Sequence, residues 1–378
     1  MLTGYVNSPS TAMSKKVVHL IAAARPNFMK IAPLYHALAA TDWCDPQVVH
    51  TGQHYDFNMS DAFFHDLGLP APTFNLDIGS GSHAEQTAGV MIAYEKLCMD
   101  NRPDWIIVVG DVNSTAACAI VGAKLWIPVV HLEAGLRSGD RRMPEEINRL
   151  VTDTIADVLW TPSADADENL RREGVSDDKI EMIGNIMIDS FELLRDKIER
   201  SQCREELGLL DRDYGLLTLH RPSNVDHVDK LSSIIDALEA IASDISLVLV
   251  AHPRTMKNLE RFDLKDRLTG IEDLDLLAPL PYISFMNVMT GARLVITDSG
   301  GLQEETTYLD IPCLTMRENT ERPVTVTQGT NKLITATDLP EQVQKILSGD
   351  WKKGCCPPLW DGKTANRAAQ SLEKRAFI

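Results

Sequence analysis

Short runs of apolar and β-branched residues recur along this chain, each pair separated by a stretch long enough for one amphipathic helix. That alternation constrains the fold more than any single motif, because strands joined by crossover helices pair in parallel and are covered on both faces. In the first half the runs are 17–22, 47–50, 105–109, 129–132, 158–160 and 180–182, with helices predicted near 29–40, 83–98, 114–125 and 144–156. The pattern then restarts with runs at 215–219, 246–250, 274–277, 294–297 and 312–315, and helices near 228–242, 283–290 and 302–309. A restart within 378 residues predicts two α/β doubly wound domains facing a central cleft. The restart alone sets the boundary, giving residues 1–186 and 187–360, with 361–378 a helix packing back on the first domain. Ligands of open parallel sheets sit at the carboxyl ends of the strands, so the chemistry is expected directly after the runs.

Charge and composition remove several classes of function. With 37 Lys+Arg against 54 Asp+Glu the net charge is −17, which disfavours nucleic acid as a partner. No apolar run approaches the roughly 18 residues that span a bilayer, and residues 1–14 lack the apolar stretch of a signal peptide and read as a frayed arm. A cytoplasmic chain is expected. Seven scattered cysteines without CxxC spacing point to free thiols, with no disulfide framework and no metal site.

The residues after the runs carry the candidate chemistry. The first run leads into Ala23-Ala24-Arg25-Pro26-Asn27, with Lys30 opening the next helix. This is not the glycine-rich turn of a dinucleotide site, and a cation pair there suits a phosphate or carboxylate, or is merely solvated surface charge. Asp111, in Gly110-Asp111-Val112-Asn113, reads either as a helix cap or as a cleft carboxylate. Glu133, in His131-Leu132-Glu133-Ala134-Gly135-Leu136-Arg137, stands beside small residues that leave space for a ligand. Glu145 opens a helix in Pro144-Glu145-Glu146-Ile147-Asn148-Arg149, where dipole complementarity alone would explain an acid. Three carboxylates brought together split their pKa values into acid and base roles, which favours general acid/base work.

In the second half His220-Arg221-Pro222 follows the first run, a phosphate contact, a proton shuttle or a core-edge histidine. Asp298-Ser299-Gly300-Gly301-Leu302-Gln303-Glu304-Glu305 is the strongest local signal. A Ser-Gly-Gly turn before a helix lets backbone amides approach a diphosphate, and Glu305, placed on that helix's first turn, suits two ribose hydroxyls. Arg322, in Thr320-Glu321-Arg322-Pro323, offers a planar fork for phosphate oxygens.

Together these motifs resemble the non-hydrolysing UDP-N-acetylglucosamine 2-epimerases, from Arg25-Pro26-Asn27 to Arg322-Pro323 and Gly329-Thr330. The resemblance implies two Rossmann-like domains of glycosyltransferase-B type, a UDP-sugar substrate, no metal and no cofactor, and a homodimer. It implies that Asp111, Glu133, Glu145 and His220 are catalytic, and that Arg25, Lys30, Phe285, Ser299, Gly300, Gly301, Glu305 and Arg322 bind substrate. The implied chemistry removes the C2 proton as UDP leaves C1, forms 2-acetamidoglucal and re-adds UDP after protonation on the other face. Which carboxylate is base and which acid stays open. The sequence departs from the family in the short segment 138–143, in Pro222 where an Arg is usual, and in Gln53-His54-Tyr55, which lacks an Arg often found next. A UDP-2,3-diacetamido uronic acid sugar, or hydrolytic release of ManNAc and UDP, are the alternatives.

Overall fold

The computed structural model describes residues 14–52 and 64–377. The N-terminal arm expected over 1–14 lies almost wholly outside them, as does Gln53-His54-Tyr55. Seven strands form the first sheet: β1 Lys16–Ala22, β2 Cys44–His50, β3 Phe74–Asn75, β4 Trp105–Val109, β5 Val129–Leu132, β6 Val158–Thr161 and β7 Ile180–Met182. Their order is β3-β2-β1-β4-β5-β6-β7, and every neighbouring pair is parallel. The second sheet repeats the plan with β8 Tyr214–Thr218, β9 Ser246–Val250, β10 Leu274–Leu277, β11 Leu294–Thr297, β12 Cys313–Thr315 and β13 Asn331–Leu333, in the order β10-β9-β8-β11-β12-β13. The chain is therefore a tandem of doubly wound α/β domains of the glycosyltransferase-B type.

Strand order reverses between β1 and β4 in the first sheet and between β8 and β11 in the second. At these points successive crossovers diverge, opening a crevice at the strand ends. The turns bordering the two crevices hold Arg25 and Asp111 on one side of the cleft, His220 and Ser299 on the other.

One apolar cluster links the domains. It runs from Leu20, Val109, Leu132 and Trp160 through Phe191, Leu194 and Ile198 to Leu216, Met286 and Val295. The bridging residues belong to helix Ile186–Arg200, which packs against helix Arg25–Ala39 on one side and helices Tyr282–Thr290 and Gly300–Tyr308 on the other. Helix Thr364–Ala376 lies against Arg25–Ala39; Asp189 accepts the backbone N–H groups of Thr364 and Ala365 at its start, and Trp160 Nε1 donates to Ser371 at 2.9 Å. Among the described residues no helix is long and apolar enough to cross a membrane.

Several element starts differ from the sequence expectation. Helix Arg25–Ala39 begins four residues before 29 because Pro26 seats in its first turn, so Lys30 lies in the second turn and does not open the helix. Helix Gly300–Tyr308 absorbs both glycines that were expected to form a turn, which moves Glu305 out of the first turn. β3 and β13, of two and three residues, were not expected at all.

Candidate active site

In the first domain the site is assembled on β1, β4 and β5. Asn27 accepts the Ala24 N–H at 3.0 Å and donates to the Val109 carbonyl at 3.1 Å, fixing the first turn against the end of β4. Gly110 follows with φ 68°, and a Cβ there would stand 3.3 Å from Lys30 Nζ and 3.5 Å from Glu133 Oε2. The missing side chain is the space in which Lys30 and Glu133 form their ion pair. Glu133 is 4% exposed, and its Oε1 has no hydrogen-bond partner among the described residues. Its φ of 71° is left-handed, a conformation that costs a non-glycine residue on the order of 1 kcal/mol and that the surrounding bonds must impose.

Asp111 does not cap a helix. The cap of helix Asn113–Lys124 is Val112, without a side-chain bond, and the Asp111 carboxylate pairs with Arg149 NH1 at 2.5 Å. Arg149 is buried and also reaches Glu146 at 2.6 Å. Glu146 in turn accepts the backbone N–H groups of Ser138 and Gly139, and Ser138, Arg149 and Gly139 together hold its carboxyl below the usual range against the effect of burial. Of the two acids that open helix Pro144–Ile155, Glu146 is thus the buried one that ties down the 138–143 segment. Glu145 is exposed at the helix start and lies in the electrostatic field of Arg221 across the cleft.

In the second domain Asp298 is fully buried at the end of β11 and organises the turn after β8. It meets His220 Nδ1 at 2.9 Å and accepts the N–H groups of His220 and Arg221 and the Asn224 amide at 2.9–3.1 Å. Burial alone would raise its pKa; the bonds from His220 and Asn224 outweigh that and lower it. The His220 ring is one-third exposed and keeps Nε2 for another partner.

Ser299 precedes helix Gly300–Tyr308 without capping it through its side chain. A Cβ at Gly300 would meet Glu321 Oε1 at 2.7 Å and Arg322 NH1 at 2.8 Å, whereas one at Gly301 would enter open space. A side chain at the first glycine would push against the Glu321–Arg322 ion pair, and the second leaves the helix N-terminus accessible to an anion. Arg322 is mostly buried, with Nε 2.8 Å from Glu304 and NH1 2.6 Å from Glu321, and Arg317 pairs with Glu321 at 2.8 Å. The Arg322 guanidinium also feels Glu133 of the first domain, and burial together with Glu133 raises the pKa of Glu304. Acid and base groups of one domain and the cations of the other therefore share one field.

Glu305 is buried, accepts the Tyr282 hydroxyl at 2.7 Å, and is pushed up to about 7, chiefly by burial with Glu304 adding to it. Phe285 and Tyr282 both pack at the edge of the shared cluster, and Arg25 is exposed at the start of its helix. A carboxyl raised by folding binds its proton more tightly in the native state, so it stabilises at low pH and this contribution is lost as pH rises towards 7. Replacing it with glutamine removes that slope. In urea titrations the stability of Glu305→Gln relative to the unsubstituted protein is expected to increase by about 2 kcal/mol between pH 5 and 8; equal values at both pH would contradict the assignment.

A cavity of about 1000 Å³ adjoins this cluster, lined by Asp140, Arg142 and Met143 of the first domain and by Arg221, Arg317 and Thr335 of the second. Asp298, Glu304, Arg149 and Glu321 lie inside the sequence motifs, but only the fold shows their burial and pairing, and Tyr282 carries no signal in the sequence. Among the described residues no group of three or more His, Cys, Asp or Glu is placed to hold a metal ion.

A family model described as UDP-N-acetylglucosamine 2-epimerase matches residues 36–373. The UDP-N-acetylglucosamine 2-epimerase of Methanocaldococcus jannaschii is 41% identical over 93% of this chain and 98% of its own. The crystal structure of the M. jannaschii enzyme in complex with UDP-GlcNAc and UDP covers 95% of this chain and 99% of its own, with a TM-score of 0.85 at 40% identity. The UDP-2,3-diacetamido-2,3-dideoxy-D-glucuronate 2-epimerase of Pseudomonas aeruginosa is 38% identical over 94% of this chain and 98% of its own.

Proposed function

The chain belongs to the UDP-N-acetylglucosamine 2-epimerase family, and from that premise we propose that it interconverts UDP-N-acetylglucosamine and UDP-N-acetylmannosamine without hydrolysing them. The observation that carries this reading is the convergence of Glu133 and Lys30 with Arg322 and Glu304 across the cleft, a base next to a diphosphate cradle. The C2 hydrogen is scarcely acidic, so its removal must be coupled to departure of UDP from C1. Arg25, Lys30, Arg322, Ser299 and the amides of Gly300 and Gly301 stabilise the charge that develops on the leaving diphosphate. Glu305 receives the ribose hydroxyls and Phe285 flanks the uracil. Asp111, Glu133 and Glu145 exchange the C2 proton on the two faces of the sugar, and His220, oriented by Asp298, presents Nε2 to the diphosphate. The intermediate is 2-acetamidoglucal, and closure of the domains keeps water from it.

One observation favours a second reading of the sugar. Arg142, Arg221 and Arg317 line the cavity beside the cluster, and a uronate carboxylate would find cations there. Turnover of UDP-N-acetylglucosamine and of UDP-2,3-diacetamido-2,3-dideoxy-D-glucuronate, compared as kcat/KM, decides between them. The proposed reading expects the first to be the better substrate.

The working unit is proposed to be a cytoplasmic homodimer. All seven cysteines stand free of disulfides, as suits a reducing compartment, and Ile92 and Met99 on helix His83–Asp100, Ile147 and Val151 on helix Pro144–Ile155, and Trp126 in the turn after helix Asn113–Lys124 are exposed and supply apolar surface for self-association.

A further inference from the structure

His131, on β5, and Asp153, on helix Pro144–Ile155, are buried in the first domain with their side chains in contact, and neither takes part in the steps above. His131 Nδ1 lies 2.5 Å from Asp153 Oδ1, and Nε2 lies 2.8 Å from the carbonyl oxygen of Gly110. Both neighbours are acceptors. A neutral imidazole has a single N–H and would set a lone pair against one of them, so the geometry calls for a ring that donates from both nitrogens. The second Asp153 oxygen accepts the Gly135 N–H at 3.1 Å and pairs with Arg137 at 2.7 Å. A carboxylate ringed by three donors is suited to balance the charge of such a ring.

We infer that His131 and Asp153 are a positioning pair that fixes the spacing of the acid/base groups. Through Gly110 the pair holds the peptide that leads into Asp111. Through Gly135 it holds the turn in which Glu133 keeps its left-handed backbone, and through the helix that carries Asp153 it holds the start occupied by Glu145. The three carboxylates stand on the turn after β4, the turn after β5 and helix Pro144–Ile155, and the His131–Asp153 contact reaches all three. The inference rests on the reading of those carboxylates as the acid/base groups.

Two measurements test it on the full-length protein. In nitrogen-15 NMR of histidine-labelled protein, one imidazole should show both N–H protons in slow exchange, and its signals should be missing from His131→Gln. Detection of a single N–H at His131 overturns the inference, whatever the enzyme turns over. In kinetics, Asp153→Asn should lower kcat about 10- to 100-fold, since a misplacement of about 1 Å costs that much, with KM and UDP affinity within about threefold. An unchanged kcat, or a loss of UDP affinity as large as the loss of kcat, contradicts positioning. Should that variant fail to fold, the NMR result on the unsubstituted protein still decides. Should the unsubstituted protein turn over neither UDP-sugar, the functional reading fails separately from the hydrogen-bond claim.

Discussion

Glu133→Gln is expected to reduce turnover by about 1000-fold or more while leaving UDP affinity within a few-fold, because a general acid/base group supplies roughly two to four orders of magnitude. The replacement keeps the shape of a side chain that is 4% exposed and preserves an oxygen for Lys30. It removes the charge that faces Lys30 and the capacity to take up a proton at Oε1, an atom that no donor among the described residues occupies. Rates from product analysis by NMR, set beside calorimetric titration with UDP, separate the two quantities. Turnover near that of the unsubstituted protein would contradict the role given to Glu133, and a parallel loss of UDP affinity would mean that the residue binds and does not transfer protons.

Arg322→Met is expected to be damaging in a different way. Arg322 lies between Glu304 and Glu321, which are 1% and 4% exposed; its removal leaves Glu321 with Arg317 and Arg221, and Glu304 with no ion-pair partner among the described residues. Breaking a buried ion pair from one side costs about 3–5 kcal/mol, and a loss of about 3 kcal/mol should appear in urea titrations. Adding Glu304→Gln to the same chain removes the stranded charge and should restore part of that stability. Catalysis should not return with it, since the guanidinium that faces the departing diphosphate is still missing. Equal stability of the single and double variants would show that Glu304 does not depend on Arg322. Recovery of turnover in the double variant would show that Arg322 serves folding only.

The fold was legible because strands buried on both faces read as uninterrupted apolar runs. Trp105–Val109, Val129–Leu132, Ser246–Val250 and Leu294–Thr297 begin and end where those runs do. β3 and β13 escaped because two or three edge residues carry no periodicity, and their pairing is decided by the neighbouring strand. Pro26 and the Gly300-Gly301 pair displaced helix starts because capping depends on where the preceding strand releases the chain. At the site, spacing brought both Glu145 and Glu146 into the first turn of one helix. Which of them is buried depends on the 138–143 segment folding over Glu146, a contact that spacing does not encode. Asp298 was visible as a residue, but its bond to His220 exists only because β8 and β11 are neighbours in the sheet. The ion pairs of Arg149 and Arg322 likewise each join a helix to a loop that only the folded chain brings together.

In the proposed reaction the cleft cleaves and re-forms the C2–H bond while UDP departs and returns. Proton NMR of the full-length protein with UDP-N-acetylglucosamine in deuterated buffer, with neither metal nor nicotinamide added, tests it most directly. UDP-N-acetylmannosamine is expected to appear, with deuterium at C2 of both epimers. Epimerisation with the original proton retained at C2, or release of free N-acetylmannosamine and UDP in place of the epimer, would contradict it.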